Sequence, residues 1–185
     1  MARLFRVLPY LPGARRGQPF HPMFVPPSTG SARIDNPDRY DTLYVSDAAA
    51  GAVAEAFGWR PVWAEPMLRG RPTMVGSVQA LVEYEADDAA LTVCDLDDAE
   101  RLVVLALRPS QVVTRDRAVT QAWAARIFDG GGFAGVRWWS YYDPQWGSLG
   151  LWDVSALKVR EVTVLTLDHL AVVEAAAVLN RPLRS

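Results

Sequence analysis

The chain has 185 residues and a net charge of −2 at neutral pH, and half of its residues are apolar or aromatic. This composition is typical of one globular domain and excludes a largely disordered chain, a collagen-like repeat and a coiled coil. The near-neutral charge gives no general attraction to nucleic acid or to an anionic membrane.

The first part of the chain predicts a strand, a long irregular segment and a strand followed by a helix. Residues 4–8 form a short apolar run that predicts a strand. Residues 9–41 hold too many prolines and glycines for a helix, and their apolar content favours an ordered, functional loop that serves as a lid or as a partner interface. Residues 42–45 predict a second strand. Ser46 and Asp47 are suitable N-cap residues for the alanine-rich helix that follows.

The second part of the chain predicts more strands and two more helices. Apolar and β-branched runs predict strands over residues 78–84, 90–94, 102–107, 136–139, 149–152 and 159–167. Asp116 is placed to cap a helix over residues 117–128, and a last helix is predicted over residues 168–180. Because strands outnumber helices and do not alternate with them, we expect an α+β fold, with mixed or antiparallel sheets and flanking helices.

Composition and short motifs exclude several classes of function. Cys94 is the only cysteine, so an internal disulfide and a thiolate zinc site are excluded. Residues 130–135 match GxGxxG, but a helix precedes them and a strand follows, which is the reverse of a dinucleotide fingerprint. The acidic turn over residues 95–100 lacks the EF-hand pattern, so no metal site is predicted. The N-terminus lacks the features of a secretory signal, and we expect a cytoplasmic protein without a membrane segment.

Arg33, Tyr44 and Glu55 form the strongest constellation of polar residues. They follow one another at equal steps of 11 residues, and Glu55 is the only charged residue between Asp47 and Arg60. A carboxylate on an alanine-rich helix face is costly unless it is paired. Two explanations are open: a structural ion pair with Arg33 or another arginine, or a catalytic role.

These residues resemble the RES-domain toxin family. The family pattern of an arginine-bearing strand, an arginine turn, an L-Y-L-A strand and a glutamate-bearing helix is similar to LFRV with Arg6, SARIDNP with Arg33, LYVSD with Tyr44 and AVAEA with Glu55. The family segments V-x-D-L, T-Q and G-[IVL]-R-Y-P-S resemble VCDL, TQ and GVRWWS, the last of which ends at Ser140.

The resemblance covers about residues 4–155 of the chain. With the strand and helix of residues 158–180, it implies a single RES-like domain over residues 1–185. The departures from the family pattern affect the rim of the pocket more than its charges, and they fall at Ser31, Ala32, Ile34, Asp35, Trp138 and Trp139.

The resemblance implies a fold similar to that of ADP-ribosyltransferases and a toxin of a toxin–antitoxin pair. Such a toxin cleaves the nicotinamide–ribose bond of NAD+ by phosphorolysis or hydrolysis, with NAD+ as substrate, inorganic phosphate as co-substrate of the first reaction, and no bound cofactor. The implied partner is a helix-turn-helix antitoxin that covers the active site in a hetero-oligomer; direct nucleic-acid binding is not expected. A mono-ADP-ribosyltransferase acting on a protein and a non-catalytic interaction module are the alternatives.

The resemblance also implies the roles of five residues. Glu55, Arg33 and Ser140 would be catalytic, and Arg6, Arg33, Tyr44 and Ser140 would bind NAD+. Glu55 would stabilise positive charge on the ribose, and the two arginines would hold the pyrophosphate or the attacking phosphate. Tyr44 would stack on the nicotinamide or the ribose, and Ser140 would hydrogen-bond the carboxamide or a phosphate.

Overall fold

A seven-stranded sheet with flanking helices organises the computed structural model, which describes residues 1–87 and 89–184. The strands are β1 (Ala2–Tyr10), β2 (Leu43–Ser46), β3 (Trp63–Ala64), β4 (Val78–Ala86), β5 (Val93–Asp95), β6 (Gly135–Trp139), β7 (Gly147–Leu151), β8 (Leu157–Val164) and β9 (Leu183–Arg184). The helices are α1 (Ala49–Phe57), α2 (Ala99–Val104), α3 (Pro109–Val113), α4 (Arg117–Gly130) and α5 (Leu170–Val178). Across the described residues, no helix has the length and the apolar character needed to cross a membrane.

The strand order in the large sheet is β5-β6-β7-β2-β1-β4-β8. Among the described residues, the β5–β6 pair of this sheet is parallel and its other neighbouring pairs are antiparallel. The sequence-based prediction of an α+β fold with a mixed sheet and flanking helices is therefore confirmed. The short strands β3 and β9 form a separate parallel pair that the sequence did not predict.

Apolar cores contact strand β1 on both faces, which explains its continuous apolar run. Leu4 and Leu8 belong to a core under the Pro-rich segment, whereas Phe5 and Val7 pack on the opposite side against the core of α1 and α5. This follows from the alternation of side chains along a strand. Arg6 is the charged residue within this run, so its side chain has to reach an opening.

A third core joins α2, α3 and α4 to strands β5 and β6. Asp116 caps α4 as predicted, since its Oδ1 accepts a hydrogen bond from the Ala118 N–H at 2.9 Å. The C-cap of the helix is Gly131, whose φ of +69° lies in the region that favours glycine. This capped start matters for function because the first turns of α4 lie beside the cleft described below.

The strand predicted over residues 102–107 is wrong, because helix α2 occupies residues 99–104. The Asp98 side chain caps this helix by accepting a hydrogen bond from the Glu100 N–H at 2.9 Å. Leu102 is buried while Val103 and Val104 are exposed, a pattern of one buried helix face. A short apolar run does not distinguish a helix from a strand by itself.

The predicted N-cap of α1 is also wrong, because the N-cap residue is Ala48. The Ser46 hydroxyl instead donates to the Gly147 carbonyl at 2.9 Å, and Asp47 Oδ1 accepts from the Gly147 N–H at 2.6 Å. Both side chains therefore stabilise the junction between β2 and β7. The boundaries of other predicted elements shift by a few residues, as in β5, β8 and α5.

Candidate active site

A cleft of about 390 Å³ lies where β1 meets β2. Strand β1 pairs with β4 along its whole length, whereas its pairing with β2, across the described residues, is limited to Phe5 and Ser46. The sheet is therefore open beside this single pair, and residues of both strands line the cleft. Its volume is in the range of small-molecule sites.

The structure brings the predicted site residues together. Arg6, Arg33, Tyr44 and Glu55 all line this cleft. Ser140 lies behind the lining, and its hydroxyl donates to Glu55 Oε1 at 2.8 Å. The five residues come from β1, the Pro-rich segment, β2, α1 and the end of β6, so their meeting depends on the pairing of distant strands.

Two serines orient the Glu55 carboxylate. Ser148 on β7 donates to the same oxygen as Ser140, with 3.1 Å between its Oγ and Glu55 Oε1. Both serines are buried, whereas Glu55 is exposed to the cleft. Within residues 1–87 and 89–184, no arginine forms an ion pair with Glu55, so the structural ion pair left open by the sequence is wrong.

Small residues bring helix α1 close enough for these contacts. A Cβ atom on Gly51 would lie 2.5 Å from Ser46 Oγ and 3.2 Å from Trp146 Cβ. Ala52 and Ala56 complete the wall of the cleft on either side of Glu55. The small side chains of this helix face therefore allow the close packing of the helix on the sheet.

Helix α4 holds the turn that carries Arg33. The Thr120 hydroxyl donates to the Arg33 carbonyl at 2.6 Å. The Gln121 amide donates to the carbonyls of Gly30 and Ala32 at 2.7 and 3.0 Å. The T-Q pair that contributed to the family resemblance thus fixes the backbone on both sides of Arg33.

The Arg33 side chain is held by backbone carbonyls and lies in a cationic environment. Its Nη1 donates to the carbonyls of Val112 and Thr114 at 2.6 and 3.0 Å. Burial and then the like charge of Arg117 lower the pKa of Arg33, and the Glu55 carboxylate opposes this shift. The guanidinium remains charged at neutral pH, and the arrangement favours an anionic ligand.

Tyr44 connects the cleft to a buried carboxylate. Its hydroxyl donates to Asp35 Oδ1 at 2.9 Å and accepts from the Ile34 N–H at 3.2 Å. Burial, together with the Asp35 carboxylate, raises the pKa of Tyr44 well above its ordinary value, so it stays a neutral donor. Its ring meets that of Trp138 edge-to-face, with 6.5 Å between the centroids.

We expect Tyr44→Phe to lower the free energy of unfolding by about 1–3 kcal/mol, because it leaves the buried Asp35 carboxylate without its hydroxyl donor. Urea unfolding of the purified variants measures this change. Tyr141→Phe is the matched control, since Tyr141 is 68% exposed, and it should change stability by no more than about 0.5 kcal/mol. Equal free energies of unfolding for Tyr44→Phe and wild type would show that the Tyr44–Asp35 hydrogen bond does not stabilise the fold.

Arg6 links the cleft to the Pro-rich segment. Its Nη1 donates to the Phe24 carbonyl at 3.0 Å, and the Tyr84 hydroxyl donates to the Pro22 carbonyl at 2.7 Å. Met23 and Val25 pack on the core formed by Leu4, Leu8 and their neighbours. The segment is thus anchored to the sheet, and its Arg33 turn forms part of the cleft.

Sequence reasoning missed Arg117 and Ser148, and it named Trp138 only as a departure from the family pattern at the rim of the pocket. Trp138 is buried at 5% exposure and also lines the cleft, so it belongs to both the core and the site. Ser148 carries no signal in the sequence, because a single serine on a strand has no distinctive context. Arg117 carries a weak signal, since a cation in the first turn of a helix opposes the helix dipole.

Comparison with known proteins finds one family and a similar solved structure. The model of the RES-domain family matches residues 3–173. The chain is similar to a chain of the MbcT–MbcA toxin–antitoxin complex of M. tuberculosis, with a TM-score of 0.60 and 14% identity over 97% of this chain and 89% of that chain. At this identity the likeness concerns the fold. No curated protein sequence shows a significant match.

Proposed function

We propose that this chain, which belongs to the RES-domain family, is the toxin of a toxin–antitoxin pair. In this proposal it cleaves the nicotinamide–ribose bond of NAD+ and so depletes the cellular pool of NAD+. The observation that carries this proposal is the Glu55 carboxylate, which two serine hydroxyls hold and which is exposed to the cleft. The other charged residues that line the cleft, among those the structure describes, are arginines.

The two serine contacts make the Glu55 carboxylate asymmetric. Both hydroxyls donate to Oε1, and among the described residues Oε2 accepts no hydrogen bond. Oε2 is therefore available to face the ribose of the substrate. We assign Ser140 to the orientation of Glu55. This role differs from the one that the family resemblance indicated, a hydrogen bond to the carboxamide or a phosphate.

In the proposed reaction the bond between ribose C1′ and the nicotinamide nitrogen breaks, and its electron pair leaves with neutral nicotinamide. The positive charge that develops on the ribose is stabilised by the nearby Glu55 carboxylate. An oxygen of inorganic phosphate or water then forms the new bond to C1′, and the proton of an attacking water passes to Glu55 or to solvent. Nicotinamide leaves without protonation, which fits a cleft whose lining has no histidine among the described residues.

The remaining lining suits the other parts of NAD+. Guanidinium groups bind pyrophosphate oxygens in a bidentate manner, and Arg6 and Arg33, which line the cleft, would do so here. Tyr44 and Trp138 provide aromatic surfaces for a ring or a ribose.

The proposed partner is a helix-turn-helix antitoxin that covers this cleft. The likeness in fold to a chain of a toxin–antitoxin complex supports such a partner. Tyr141 lines the cleft and is 68% exposed, so it offers aromatic surface at the mouth. Depletion of NAD+ and inhibition by an antitoxin both fit a protein that acts in the cytoplasm.

Mass analysis of products tests the proposed reaction. Purified protein without antitoxin is incubated with NAD+ in the presence and in the absence of inorganic phosphate. ADP-ribose carrying an added phosphate would establish phosphorolysis, and free ADP-ribose would establish hydrolysis. A mass increase on a protein would establish the transferase alternative, and intact NAD+ under all conditions would refute the proposal.

A further inference from the structure

Among the described residues, the charged side chain of Arg117 lines the cleft without a hydrogen-bond or ion-pair partner. Its Nη1 is buried, and within residues 1–87 and 89–184 it has no hydrogen bond. No ion pair of Arg117 exists in that part of the chain either. A buried cationic donor left unpaired is costly, so such a group calls for a ligand that the polypeptide itself does not supply.

A second guanidinium stands beside it. Arg33 lines the same cleft, and the charge of Arg117 acts on it unfavourably. The Arg33 side chain cannot move away without losing its hydrogen bonds to the carbonyls of Val112 and Thr114. The fold thus holds two like charges near each other, and their repulsion raises the free energy of the empty cleft. Binding of an anion between them would relieve this repulsion.

The nearby carboxylates are committed to other groups. Asp116, next to Arg117 in the chain, caps α4, and Asp35 accepts from Tyr44 and from the Ala32 N–H. Glu55 is held by its two serines. In the part of the chain that the structure describes, the charged residues of the cleft lining are Arg6, Arg33, Arg117 and Glu55. Three cations face one anion, so the cleft is cationic although the whole chain has a net charge of −2.

We propose that Arg117 and Arg33 together form a binding site for a phosphate-bearing anion, with Arg117 as the residue that provides an unengaged planar donor set. The inference rests on the proposed function for the nature of this anion, which is either inorganic phosphate or the pyrophosphate of a dinucleotide. Both present oxygens that match the fork of a guanidinium group.

Isothermal titration calorimetry of inorganic phosphate and, separately, of ADP-ribose tests the site without requiring turnover. For Arg117→Gln we expect about tenfold weaker binding or more, since charge-assisted hydrogen bonds are lost. Weaker binding of both probes assigns the site to pyrophosphate as well as phosphate, and weaker binding of phosphate alone assigns it to inorganic phosphate. Arg126→Gln, on the same helix with its Nη2 on the Leu105 carbonyl, removes the same charge away from the cleft and should bind both probes like wild type.

The thermal midpoint of the unliganded proteins separates ligand binding from a structural role. We expect Arg117→Gln to be at least as stable as wild type, because it removes a half-buried charge whose buried Nη1 has no partner among the described residues, and because it relieves the repulsion of Arg33. Arg117→Lys, which keeps the charge but loses the planar fork, should bind with intermediate affinity. Undiminished binding of both probes by Arg117→Gln, or a midpoint below that of wild type, overturns the inference even if NAD+ is cleaved. If Arg117→Gln loses anion binding and the wild-type protein leaves NAD+ intact, the anion site is supported and the proposed reaction is refuted.

Discussion

Glu55→Gln is expected to lower the rate constant of NAD+ cleavage by about 10²–10³-fold, because it removes the negative charge that stabilises the developing positive charge on the ribose. Glutamine has nearly the same size and can still accept the hydroxyl hydrogen bonds of Ser140 and Ser148. The side chain is exposed, so the fold should be retained. The measurement is kcat from the release of nicotinamide, together with the affinity for NAD+ by calorimetry, which should change little.

Glu174→Gln is the control for this experiment. Glu174 is an exposed glutamate on helix α5, so its replacement makes the same change of charge outside the cleft. Its kcat should equal that of wild type. A Glu55→Gln variant that keeps most of the wild-type kcat would remove Glu55 from the chemistry and leave it as a residue of the cleft wall.

Ile34→Ala is expected to destabilise the protein by about 2–5 kcal/mol, because Ile34 is fully buried although it lies in the Pro-rich segment. It packs in the core that contains Val112, Trp123 and Val136. Gly150 on strand β7 makes room for the Ile34 side chain, because a Cβ atom at position 150 would lie only 2.3 Å from Ile34 Cδ1. The substitution therefore leaves a cavity directly beside Arg33.

Urea unfolding measures this effect against two controls. Ile34→Val removes one methylene group and should cost about 0.5–1.5 kcal/mol. Val75→Ala, at a position that is 93% exposed, should stay within about 0.5 kcal/mol of wild type. If Ile34→Ala were as stable as Val75→Ala, the Arg33 turn would not be anchored by burial of its neighbour.

Local signals in the sequence predicted the parts of the fold that depend on neighbouring residues. Asp116 predicted the start of α4 because an aspartate cap acts within one helical turn. The same reasoning misplaced the cap of α1, since Ser46 and Asp47 contact Gly147 on a strand about 100 residues away. That contact depends on the β2–β7 register, which local patterns do not encode.

The residues of the candidate site also divide into those with a local signal in the sequence and those whose role depends on distant contacts. Glu55 was found because a lone carboxylate among alanines is unusual in itself. Ser148 was not found, because its importance arises only from the position of its hydroxyl 3.1 Å from Glu55 Oε1. Ile34 is one of the departures from the family pattern that were expected to affect the rim of the pocket, but its side chain is fully buried in the core.

The release of nicotinamide from NAD+ by the purified, antitoxin-free protein, followed by proton NMR, tests the central claim most directly. The account predicts many turnovers for wild type and for Glu174→Gln, and almost none for Glu55→Gln at equal NAD+ occupancy. NAD+ that is bound by the wild-type protein but stays intact would contradict it.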